Sequence, residues 1–95
     1  MTSKDRIEKQ SIINNEYRCY ICGSQRNLEL HHCLSASDRK KADQDGLFVA
    51  LCSTCHRRLH DHGEHKKELQ IEAQRAYIRE HGREEYFKRY GKFYE

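Results

Sequence analysis

"GLFVALCSTCH", residues 46–56, decides how this chain folds. After Gly46, the run Leu47 to Cys52 is short, apolar and partly β-branched, so it reads as a strand. Cys52 and Cys55 follow as a C-x-x-C knuckle, and Ser53 and Thr54 suit the cap of a helix beginning near His56. Upstream, "LELHH" (residues 28–32) alternates Leu28 and Leu30 with Glu29, the period of a half-buried strand. The two runs predict an antiparallel hairpin.

A second knuckle leads into the first strand. In "YRCYICGS" (residues 17–24), Cys19 and Cys22 are spaced as C-x-x-C, and Gly23 can take the left-handed backbone that such turns require. Between the strands, residues 33–45 (CLSASDRKKADQD) are polar and read as a loop with room for one helical turn. Beyond Gly63, Leu69, Ala73, Ala76 and Tyr77 fall at helical spacing up to Gly82, and Tyr86, Phe87 and Tyr90 predict a last helix ending at Gly91. Tyr86, Phe87, Tyr90, Phe93 and Tyr94 are expected to pack that helix onto the hairpin, or to offer a surface to a partner protein. Residues 1–16 read as a flexible lead-in and 17–95 as a single domain.

With 95 residues, 36% hydrophobic, 35% charged and no Trp, apolar burial barely offsets the entropy of ordering the chain. A second stabiliser is expected. The five cysteines are an odd number, the first ten residues are charged rather than apolar, and no run is long and apolar enough to cross a bilayer. These features predict a reducing, cytoplasmic setting, no membrane partner, and thiolates used for metal rather than for disulfides. A net charge of +3 is compatible with nucleic acid without requiring it.

Cys19, Cys22, Cys52 and Cys55 supply the four ligands of a structural Zn²⁺ site. Four reduced thiols used as small apolar filler would not need the repeated spacing. The intervening residues 23–51 contain the whole hairpin, so one ion would pin its start to its end. A closed four-thiolate site leaves no position for substrate, and chemistry must come from elsewhere. His56 and His60, at i and i+4 on the expected helix, lie on one face and can share a metal ion, although a solvated pair has the same spacing. If the first strand ends at the His31–His32 pair, His31 can turn towards that metal while His32 stays unligated beside it, ready to accept a proton.

These parts, in this order, resemble the HNH endonuclease superfamily in its zinc-knuckle form. "LELHH", "GLFVALCSTCH" and "EEYFKRYGKFY" together are similar to small HNH-like proteins of phages and prophages of Gram-positive bacteria, over residues 17–94. The resemblance implies a small, zinc-stabilised α+β fold: a ββα-metal, treble-clef-like hairpin with C-terminal helices. It also implies metal-dependent cutting of DNA phosphodiesters. His32 matches the family's general base, His31 and His56 its metal ligands, and His60 a third histidine of some branches. The implied catalytic ion is Mg²⁺, Mn²⁺ or Ni²⁺. Where the family carries an Asn that holds the loop of the base histidine, this chain has Leu47.

Arg39, Lys40 and Lys41, with Arg57 and Arg58, are candidates for neutralising DNA phosphates; a solvated charged surface is the alternative. No base-reading element is legible, so weak or shape-based recognition is expected. His62 and His65 are expected in a polar turn without metal, and Cys33, which lacks a spaced partner, as a small buried residue. The reading set against the endonuclease is a zinc-stabilised module that grips DNA or a phage recombination or packaging protein.

Overall fold

In the computed structural model, which describes residues 11–14 and 16–95, strand β1 (Leu28–His32) pairs antiparallel with β2 (Phe48–Cys52). Leu28 lies opposite Cys52, His31 opposite Val49 and His32 opposite Phe48. Phe48, Val49, Leu51 and Cys52 are all buried, as the apolar run demands. Among the described residues, this hairpin and four α-helices make a small α+β fold. No helix among them is long and apolar enough to cross a membrane.

The polar stretch between the strands is more ordered than its composition suggests. A 3₁₀ turn (Ala36–Asp38) leads into the seven-residue helix α1 (Arg39–Asp45), where a loop with room for one helical turn was expected. Two features hold it. Ala42 is fully buried and its carbonyl accepts from the Leu47 amide at 2.8 Å, while Gly46 closes the helix with φ of 76°. From the far end of the chain, Arg89 Nε donates to Asp45 Oδ2 at 2.5 Å, Tyr90 donates its hydroxyl hydrogen to the same oxygen, and Lys41 Nζ donates to the Arg89 carbonyl at 2.9 Å.

Helix α2 (Ser53–His62) begins at the knuckle itself, earlier than expected. Its cap is neither Ser53 nor Thr54: the Cys52 sulfur accepts from the Cys55 amide at 3.5 Å. Helix α3 (Lys66–His81) buries Leu69, Ala73, Ala76 and Tyr77 at the spacing read from the sequence, together with Gln74, whose Oε1 accepts from the Tyr94 amide at 2.5 Å. Helix α4 (Arg83–Tyr90) closes on Gly91 and buries Tyr86 and Tyr90 against Tyr77. Phe87 instead remains 54% exposed.

The expected lead-in falls mostly outside the described residues, which omit 1–10 and 15. Residues 11–14 are anchored rather than free. Buried Ser11 donates from Oγ to the Phe48 carbonyl at 2.6 Å, and the Ile12 amide bonds the Gly46 carbonyl at 2.9 Å.

The Asp45 cluster carries a prediction. Asp45→Ala leaves the Arg89 guanidinium and the Tyr90 hydroxyl without their shared acceptor. Hydrogen bonds to charged groups contribute roughly 1.5–3 kcal/mol, so urea unfolding should show a loss of about 2 kcal/mol. An unchanged midpoint would mean that α1 is held by its own burial alone.

Candidate metal centres

The hairpin brings the two knuckles to one place. The Tyr20 amide donates to the Ala50 carbonyl of β2 at 2.8 Å, and the Ser53 amide to the Asn27 carbonyl at 3.0 Å, tying the first knuckle to β2 and the second to the residue before β1. All four sulfurs of Cys19, Cys22, Cys52 and Cys55 lie within 4.8 Å of one another, and those of Cys22 and Cys52 are 3.7 Å apart. Zn–S bonds of about 2.3 Å in a tetrahedron put sulfurs roughly 3.8 Å apart, so the cage is already close to the size that zinc needs. Burial by itself would raise the Cys19 thiol, but backbone hydrogen bonds at Cys22, Cys52 and Ile21 outweigh it and bring it down, whereas burial and the neighbouring thiols push Cys55 up. Cys33 lies outside this group: it is buried, and burial pushes its thiol up to about 12.

A second cluster forms between β1 and α2. One ring nitrogen from each of His31, His56 and His60 lies within 4.8 Å of the others, and the Nε2 atoms of His56 and His60 are 3.1 Å apart. Imidazoles sharing one ion at about 2.1 Å have nitrogens roughly 3.0–3.4 Å apart, which this pair already matches. Glu29 holds the arrangement from outside. Its Oε1 accepts from His56 Nδ1 at 2.6 Å, which fixes the ring and turns Nε2 towards the cluster. The sequence signal for Glu29 was its alternation: two residues from His31 on β1, it shares the face that α2 covers.

Burial, reinforced by the rings of His56, His60 and His32, pushes His31 down from 6.5 to about 4. The ring is neutral at neutral pH, as a metal ligand must be. Between about pH 6.5 and 4 the unfolded chain takes up a proton that the folded chain resists, so stability falls as pH falls through that interval, by at most ~3 kcal/mol. Melting curves of zinc-loaded protein without other divalent ions should show this fall, and His31→Gln should flatten it.

Strand β1 runs through His32 and does not end before it. The two imidazoles therefore leave the strand on opposite faces, and no strand end is needed to separate them. His31 meets α2; His32 meets α1, where its Nε2 is 3.0 Å from Asp43 Oδ1, and its ring stands edge-on to Phe48. A cavity of about 480 Å³ is lined there by His32, Ser37, Arg39, Lys40 and Asp43. Two of the five basic candidates thus share a cavity with His32. Lys41 is engaged with the Arg89 carbonyl, and Arg57 and Arg58 are exposed on α2. His62 is exposed at the end of α2, and His65 Nδ1 pairs with Glu68 at 3.2 Å; neither joins the cluster. Asp43 gave no sequence signal, because its role depends on α1 being a helix.

Comparison with known protein families, curated proteins and solved structures found no match to this chain.

Proposed function

We propose that this chain is a metal-dependent endonuclease or nickase that hydrolyses DNA phosphodiester bonds, with a zinc-stabilised ββα-metal hairpin of HNH type. The observation that carries the reading is the division of labour among four histidines. Three converge within ligand distance of one another, and the fourth, on the other face of β1, pairs with a carboxylate.

Of the divalent ions that the resemblance implies, Mg²⁺, Mn²⁺ or Ni²⁺, the all-imidazole donor set suits Ni²⁺ and Mn²⁺ better than Mg²⁺, which prefers oxygen ligands. When bound, that ion supplies positive charge that stabilises the phosphate and the leaving oxygen. His31, His56 and His60 would hold it, with Glu29 orienting His56. His32 accepts a proton from the attacking water. Arg39 and Lys40, beside His32, neutralise phosphate, while Arg57 and Arg58 extend the positive surface along α2. Free cysteines and the resemblance to phage proteins fit a bacterial host cytoplasm.

One observation favours the alternative of a catalytically weak binding module for DNA or a phage recombination or packaging protein. Leu47, at the position of the family's Asn, is fully buried and serves the core. Incubation with supercoiled plasmid and each of Mg²⁺, Mn²⁺ and Ni²⁺ separates the two: conversion to nicked circles that depends on added ion is the expected result. Metal-independent behaviour with no cutting of double- or single-stranded DNA replaces the endonuclease with the binding module.

A further inference from the structure

We infer that Asp43 is the positioning residue for His32, fixing the tautomer in which Nδ1 is the proton acceptor. The consequence for rate rests on the endonuclease reading; the tautomer itself does not. His32 Nε2 lies 3.0 Å from Asp43 Oδ1, with the two side chains 14% and 29% exposed. An ionised carboxylate only accepts hydrogen bonds, so Nε2 carries the hydrogen and the lone pair of the neutral ring lies on Nδ1. Among the described residues no protein group bonds Nδ1. Phe48, opposite on β2, meets the ring at 61° with centroids 5.9 Å apart, restricting it from a second side.

The contrast with His56 supports the assignment. There a carboxylate takes Nδ1 and leaves Nε2 for the ligand cluster; at His32 a carboxylate takes Nε2 and leaves Nδ1. Two acids thus set two histidines in opposite tautomers, one for coordination and one for proton transfer. In the reaction, an O–H bond of water breaks and its proton goes to Nδ1 as the oxygen bonds to phosphorus. The bond from phosphorus to the 3′ oxygen breaks, and that oxygen leaves with the electron pair to be protonated by solvent. Nε2 keeps its hydrogen, and Asp43 stabilises the imidazolium without being protonated. With Leu47 in the core, the base histidine is oriented from α1 instead of from the residue before β2.

The test uses the full zinc-loaded chain with ¹⁵N-labelled histidine. Long-range ¹H–¹⁵N correlation should show His32 as the Nε2–H tautomer in the parent, the opposite or a mixed tautomer in Asp43→Asn, and restoration in Asp43→Glu. In plasmid nicking, Asp43→Asn should lower kcat on the order of 10²-fold, with KM and calorimetric divalent-ion binding unchanged and Asp43→Glu recovering part of the rate. The inference is overturned if the parent ring carries its hydrogen on Nδ1. It is equally overturned if Asp43→Asn leaves tautomer and rate as they were, or lowers activity only by losing the divalent ion or the fold. If the parent cuts no DNA at all, the endonuclease reading fails while the spectra still decide the role of Asp43.

Discussion

Cys19→Ser is expected to bind no zinc under conditions where the parent holds one ion per chain, and to lose the cooperative unfolding transition with it. The reason is one of scale. Structural zinc contributes roughly 10–16 kcal/mol in small zinc-binding peptides, whereas domains of this size are stable by about 5–15 kcal/mol in total. A two-stranded hairpin is marginal by itself, and here both of its ends are tied to the sulfur cage. Metal analysis and circular dichroism of the variant check this. A folded variant with unchanged zinc content would remove the four-cysteine assignment.

His32→Ala and His31→Ala should fail in different ways. Loss of a positioned base typically costs 10²–10⁴-fold in rate, so His32→Ala should nick DNA more slowly by about that factor while binding the divalent ion as the parent does. His31→Ala removes a ligand; its binding should weaken, and raising Mn²⁺ should recover part of its activity. Calorimetric titration paired with nicking rates reads both. Exchange of the two phenotypes would swap the roles of the histidines, and an absence of effect in both would make the pair structural.

What the sequence made legible was local and periodic. The alternation of Leu28, Glu29 and Leu30 and the spacing of Leu69, Ala73, Ala76 and Tyr77 each carry a period, the run before Cys52 is short, apolar and partly β-branched, and each element lies where it was read. The cysteine and histidine clusters followed because knuckle and i, i+4 spacings fix distance within a few residues. Helix α1 escaped because RKKADQD has one apolar residue, Ala42, and its anchor, Asp45, bonds side chains 44 and 45 positions downstream. Such contacts leave no periodic trace. The carboxylates behind the histidines divide along the same line: the strand period already put Glu29 beside His31, whereas Asp43 reaches His32 only once α1 exists. The cap of α2 shows a third cause, since a sulfur placed by the cage took the role that Ser53 and Thr54 suit by type.

The clamp between Asp45 and residues Arg89 and Tyr90 also has a meaning in time. A ribosome delivers the chain from its first residue onward, and every sulfur ligand has been made by Cys55, long before α4. A nascent chain can close its zinc cage while α1, the arm that holds His32, still lacks its latch. On the endonuclease reading, the scaffold can form before the last contacts that hold the arm beside His32. A chain shortened after α3 would then keep all four cysteines while lacking the Arg89 and Tyr90 contacts that hold Asp45.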